Sequence, residues 1–513
     1  MIRSIDQLRR DATVLKKAYR DGDRDATTRV SNYRPRAEGT VLRHADFLHV
    51  IAREMGFASW PHLKAAADLH GMDRATRRQR LGQAIHNGHF WMVDQLLAEM
   101  PDLAAGHLGL LCGLYDVDGV RARLDTHPQE AVQPMVIVPP LMHLARSKMI
   151  HHWPDREAAM LDIAEMLVAQ GADVNGATPL HEGSTHMLST LYFAIGHAGN
   201  IPLARWLLEH GADPNDGESL YHSTELGHRD GLRLLLEHGA DPLGTNALMR
   251  AMDFHDVEAV KLLLGAGARV DDFNTAEVGG EQPWVVPALH QAARRMSPPD
   301  MVDLLLTHGA DATRIYRGVT PYAYARIFGN IALADRLETQ GHATPLSPVE
   351  TLLARIAEGE VPDGQPLEHE TLREACRDLL RMILHLPGKL PHLQRLVAAG
   401  ADSDCADAEG LTPVQIAGWE GLPEAMAFLL RQKPDLGHIN GYGGNLFSTI
   451  LHGAQNNPAR NDRDYIACLE LALQEGVGLP RAASDLVGDP EIAAFLRDWA
   501  ATHPEQLVEG GPV

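Results

Sequence analysis

Along most of the chain, apolar positions recur at helical spacing in short runs, and each run stops at the same kind of polar punctuation. "LLEHGADPND" (207–216) is followed by a near copy, "LLEHGADPLG" (235–244). In both, leucines fall on one helical face, so the segment predicts a helix with a buried side. Gly211 and Gly239 then supply the left-handed backbone that ends a helix, and Asp213 and Asp241, each before a proline, suit a turn. The same ending recurs at Gly171, Gly267, Gly309 and Gly400, and in weaker form at Gly341 and Gly476. A Pro-Asp stop replaces the glycine in "LLAEMPDLAAG" (96–106) and "LLRQKPDLGH" (429–438).

A second, shorter helix is predicted upstream of each ending. It starts near Gln83, Pro287, Thr320 and Thr412, among others. Thr before Pro suits a helix start, with the hydroxyl as cap and the proline in the first turn. Short helix, turn at Gly or Asn, longer helix and G-A-D recur in register. This pattern resembles the ankyrin repeat, whose period is about 33 residues and whose signature is T-P-L-H-x-A. The resemblance covers residues 79–500. It implies an all-α ankyrin-repeat solenoid of about eleven helix-pair repeats, with short hairpin fingers and an N-terminal helical cap. Gly211, Gly239 and Gly267 are spaced by 28, which implies fingers trimmed to turns. Longer intervals place extended loops at 176–188 and 272–286.

Four segments are expected: an N-terminal helical module (1–78), a first repeat block (79–345), an irregular joint (346–366) carrying the capping-box pair Ser347 and Glu350, and a second block with its C-terminal cap (367–513). The module reads as helices over 4–20, 43–55 and 61–70 with a polar turn between the first two. Its apolar Phe57, Trp60 and Leu63 predict that it packs on the first repeat. "IAREMGFASWPHLKAA" (51–66) resembles a module found before bacterial ankyrin repeats, and "GYGGNLFSTILHG" (441–453) resembles another segment of such proteins.

Charge refines the picture. Residues 1–80 hold 17 Lys+Arg against 10 Asp+Glu, so the remaining residues hold 46 − 17 = 29 against 68 − 10 = 58. An acidic body disfavours nucleic acid and anionic membrane as partners. Four dispersed cysteines (Cys112, Cys376, Cys405, Cys468) with no C-x-x-C fit a reducing, cytoplasmic setting. The start lacks the apolar core of a signal peptide, and no apolar run has the length of a membrane span.

The sequence holds 28 histidines. His181 and His186 in "HEGSTH" are five apart with Gly183 between, not the i, i+4 pair that puts two ligands on one metal. No metal and no cofactor is expected. His210, His238 and His308 hold the slot before a terminal glycine, where a cation suits the helix end. No nucleophile elbow and no phosphate loop occurs.

In the ankyrin pattern, the last residues of the first helix face the concave groove. Carried onto this sequence, that register gives Tyr115, Arg146, His197, Glu225, Asp253, Phe254, Arg294, Arg295, Phe328, Trp419 and His452 as binding residues. Aromatics and arginines in such a row are the residue types that anchor interfaces. The expected function is a non-enzymatic scaffold holding a protein or peptide. The alternative is an enzyme or small-molecule binder whose pocket joins groove histidines (His181, His186, His197, His222) to inserted loops.

Overall fold

The computed structural model describes residues 5–33, 42, 44–57, 60, 63, 72–134, 138–180, 183–274, 286–360, 367, 372–407, 409–457, 459–481, 483–487 and 489–509. The chain divides into two compact units, Asp68–Arg314 on one side and Met1–Ala67 together with Ile315–Val513 on the other.

Within Asp68–Arg314, helices come in packed pairs: Arg74–Asn87 with Phe90–Glu99, Leu108–Gly113 with Val117–Thr126, and Pro140–Ala145 with Glu157–Ala169. Next come Thr190–Tyr192, continued as a π-helical turn over Phe193–His197, with Ile201–Glu209; then Ser219–Ser223 with Asp230–Glu237, Ala247–Asp253 with Val257–Gly265, and Ala288–Arg294 with Pro299–Thr307. Leucines at i and i+3 or i+4 of each second helix are buried, such as Leu203 and Leu207, then Leu232 and Leu235. They pack against the neighbouring pair, so the apolar core is one continuous seam.

The repeated ending does what its residues predict. Gly171, Gly211, Gly239, Gly267, Gly309 and Gly400 all have φ between 85° and 105°. The next N–H then reaches back to the last turn, as Ala212 does to Leu207 (2.9 Å) and Ala240 to Leu235 (3.0 Å). A further role belongs to the residue four beyond the glycine, which ties one turn to the next. Asn175 Oδ1 accepts the Asp213 N–H (2.8 Å) and Asn215 Oδ1 accepts that of Asp241 (2.7 Å). Asp271 serves Asp311 (2.7 Å) and Asp404 serves Asp435 (2.8 Å) in the same way. His210, His238 and His308 place Nδ1 within 2.7–2.9 Å of the carbonyl four residues back, a structural role at the helix end.

The unit containing Ile315–Val513 repeats the scheme with Pro321–Phe328 and Ile331–Thr339, Leu379–Leu384 and Leu390–Ala398, Pro413–Trp419 and Pro423–Leu430, and Leu446–Asn456 and Tyr465–Gln474. Thr320 caps the first of these, and the Ser347–Glu350 capping box starts Pro348–Ala357. The N-terminal module belongs to this unit. Leu8, Leu15, Val30, Phe47 and Trp60 form one core that also takes in Ala494 of helix Pro490–Thr502. Lys16 and His44 face Asp498 at 3.6 and 3.9 Å. Within this unit the module packs on the C-terminal helix. The expected polar turn after residue 20 contains a helix, Arg24–Asn32, capped by Asp23. Most of the expected helix 61–70 lies outside the described residues.

The extended loop expected at 176–188 is an antiparallel hairpin, Ala177–Pro179 against Met187–Ser189, and His181 lies outside the described residues. Of the loop expected at 272–286, residues 275–285 lie outside them too. Among the described residues no helix is long and apolar enough to cross a membrane.

The turn-to-turn bonds give a test. Asn215→Ala leaves the Asp241 N–H without its acceptor and is expected to cost about 1 kcal/mol. Asn215→Asp keeps an acceptor and is expected to cost less. Equilibrium urea unfolding of the two variants measures the difference, and equal costs would remove the acceptor from the account.

Candidate functional site

The short first helices of Asp68–Arg314 end in a row of charged side chains linked from repeat to repeat. Glu218, which is 1% exposed, precedes Ser219–Ser223. Its carboxylate meets His186 Nε2 from the hairpin at 2.7 Å and His222 Nε2 at 3.3 Å. His222 lies one helical turn beyond Glu218, and Glu225 three residues further, so all three share a face. His222 Nδ1 donates to Glu225 Oε2 (2.8 Å). Glu225 Oε1 accepts from Arg250 Nε (2.8 Å) of the next repeat, and Arg250 Nη1 reaches Asp253 at 3.3 Å. Asp253 Oδ1 accepts from Gln291 Nε2 (2.5 Å) and Arg295 Nε (2.7 Å) of the repeat after that, and Gln291 Oε1 accepts from Arg294 Nε (2.6 Å).

Alternating charge fixes the protonation of this row. Burial alone would lower the pKa of His222. The hydrogen bonds and charges of Glu218 and Glu225 override it and raise the value to about 9, so the ring is cationic at neutral pH. Burial likewise opposes ionisation of Glu225, but His222 and Arg250 hold its pKa below the ordinary value. Arg250 also lies over the rings of Tyr221 (5.6 Å) and Phe254 (5.1 Å). Phe254 is 47% exposed, a large apolar ring presented to solvent with a guanidinium over it.

Earlier in the unit lies a second cluster. The rings of His86 and His197 stack at 4.0 Å and 12°. His197 Nε2 donates to the His86 carbonyl (3.0 Å). Arg146 Nε donates to His86 Nδ1 (3.3 Å), and its guanidinium lies 4.9 Å over Phe193. Burial, with the charges of Arg146 and Lys148, pushes His86 down to about 3 and His197 to about 4, so both rings are neutral. Burial also lowers the pKa of Arg146. The inserted stretch after Arg146 crosses the earlier repeats: Ser147 Oγ donates to Gly113 O (2.7 Å), the Lys148 N–H to Ile85 O (3.2 Å), and Met149 and Ile150 are buried.

That crossing corrects one expected site residue. Tyr115, with φ 60°, is 3% exposed. Burial pushes its hydroxyl up to about 12, and it belongs to the core. Phe328 is a second correction. It is fully buried, 4.6 Å from the Tyr324 ring, because the helix Pro321–Phe328 runs on through this position, whereas Ala247–Asp253 ends one residue before the exposed Phe254. Trp419 is half-buried and His452 exposed, with rings 5.2 Å apart, in the unit containing Ile315–Val513. Arg146, His197, Glu225, Asp253, Phe254, Arg294 and Arg295 are partly or fully solvent-accessible in Asp68–Arg314.

Glu218, Arg250 and Gln291 were missed. Their signal was the spacing E-x-x-x-H at 218–222, R-x-x-D at 250–253 and Q-x-x-R at 291–294, which pairs side chains along a helix face. Of the histidines considered as one pocket, His186 and His222 share Glu218, while His197 stacks on His86. Among the described residues no group of three or more His, Cys, Asp or Glu is placed to hold a metal.

A family model of ankyrin repeats, in three copies, matches residues 191–274, the stretch that carries the Glu218–Asp253 row. Residues 191–274 are ankyrin repeats. Among solved structures, the human ASB11 ankyrin repeat domain is similar at 20% identity over 47% of this chain and 99% of its own, with a TM-score of 0.33. No curated protein matches the sequence.

The shifted histidines make the stability of Asp68–Arg314 depend on pH with opposite signs. His222 is raised in the fold, so its contribution is complete below the ordinary pKa of about 6.5 and is lost as pH rises through about 9. His86 and His197 are depressed, so their contribution is complete above that ordinary value and is lost as pH falls towards about 4. Thermal melts between acid and alkaline pH are expected to show a shallower alkaline decline in His222→Gln than in the parent. An unchanged alkaline limb would contradict the cationic assignment.

Proposed function

We propose that the chain is a non-enzymatic binding scaffold and that the row of first-helix ends in Asp68–Arg314 is its concave recognition face. The observation that carries this reading is Phe254, an exposed aromatic ring beside Arg250 with Arg294 and Arg295 on the next first helix. A surface needed only for solubility does not favour that combination, whereas aromatic and arginine anchors dominate interfaces. The occupant is an extended protein segment with apolar and acidic side chains. Exchange of charged hydrogen bonds through Glu225, Arg250 and Asp253 holds the anchors in place before binding, which lowers the entropy cost of association. The acidic composition argues against nucleic acid or anionic membrane as the partner, and dispersed thiols fit a cytoplasmic setting. In this reading the stack comprises about eleven ankyrin units.

An enzymatic or small-molecule pocket is supported less well. The closest candidate is the His186–Glu218–His222 group, but its charges are already matched within the protein. That pairing suits a structural tie between the inserted hairpin and the repeat.

Phe254→Ala is expected to weaken binding of a peptide selected on the full chain by about thirtyfold, the effect of removing an interface anchor worth about 2 kcal/mol. Its melting temperature is expected to match the parent, because the ring is exposed. Calorimetry on Phe254→Ala and Arg294→Ala checks this. Parent-like affinity in both well-folded variants would exclude the row as the site.

A further inference from the structure

Arg146, in the cluster with His86 and His197, faces no carboxylate within ion-pair distance among the described residues. Arg250 and Arg295 are tied to carboxylates. Arg146 instead rests on an imidazole and a phenyl ring, His86 and Phe193. A half-buried guanidinium without an anion is held at a cost in desolvation, which a ligand carboxylate would offset.

We infer that Arg146, walled by His86 and His197 with Lys148 alongside, is a carboxylate subsite that receives an aspartate or glutamate side chain of the bound segment. The inference rests on the groove reading above and adds to it the chemistry of one position in the partner. Three features support it. The walls are neutral: the stacked His86 and His197 rings are kept unprotonated by burial and by the neighbouring cations, so they neither repel nor neutralise an incoming acid. The guanidinium is positioned: Phe193 lies over it, His86 Nδ1 takes the Nε–H and His86 Nε2 lies 3.4 Å from Nη2, which leaves Nη1 as the group to direct at an acid. The backbone beneath is rigid, because Ser147 and Lys148 are bonded to Gly113 and Ile85. The positive charge of Arg146 complements an acid there, whereas each carboxylate from Glu218 to Asp253 is already matched by a cation of the row.

The test is a double-mutant cycle. A phage-displayed library of random dodecapeptides is selected on the full chain, and the tightest peptide is synthesised with its acidic residue and with that residue replaced by its amide. Both are titrated against the parent, Arg146→Gln and Arg146→Lys, each checked by its melt. The expected result is an acidic residue common to the selected peptides. Its amide should bind the parent about tenfold more weakly, the scale of a charge-assisted hydrogen bond, and bind Arg146→Gln as well as the acid does. Arg146→Lys should retain part of the preference, and it carries the test if Arg146→Gln does not fold. Selected peptides without a common acid, or an acid preference of equal size in parent and variants, would overturn the subsite. In that case continued sensitivity to Phe254→Ala would leave the groove reading standing. Failure to select any peptide, or selected peptides indifferent to both Arg146 and Phe254, would remove the two readings together.

Discussion

A pair of short helices has more apolar surface than it can bury against itself, and in this chain every other feature follows from how that surface is covered. The leucines of one second helix pack against the next pair, so the core is a seam shared by neighbours. Sharing works only if each pair ends at the same angle. The left-handed glycines at 171, 211, 239, 267, 309 and 400 set that angle, and after Gly171, Gly211, Gly267 and Gly400 the Asn or Asp four residues on bonds the next turn to it.

Stacking in register has a consequence for chemistry. It brings the ends of successive first helices side by side, so residues distant in sequence become neighbours. Glu225 meets Arg250, and Asp253 meets Arg295, across repeat boundaries. Each carboxylate of the row faces a cation, which holds rotamers fixed without a deep core around them. Phe254 and Arg146 stand out against this self-matched background, one because its ring is exposed and the other because its charge faces no acid among the described residues.

Much of the architecture was legible because it is written in local rules. Glycine, leucine spacing and Thr-Pro starts each act within one turn of helix, and the structure realises the glycine endings and the starts at Thr320 and Thr412. The site was legible only in part. The register placed Arg146, Glu225, Asp253 and Phe254 in the row, but it could not see that the stretch after Arg146 folds across Gly113 and Ile85 and buries Tyr115. It also put Phe328 outside when the ring is core. Glu218 was missed because a buried acid is recognised by its partners, and His186 arrives from a hairpin whose length hid its course.

The central claim is that the row of first-helix ends in Asp68–Arg314 is where this protein meets its partner. Hydrogen exchange of the full chain with and without a selected peptide addresses it most directly. The account predicts added protection at the ends of helices Ser219–Ser223, Ala247–Asp253 and Ala288–Arg294 and around Arg146, with the hairpin turns unchanged. Protection confined to the turns, or to helices within Ile315–Val513, would contradict it.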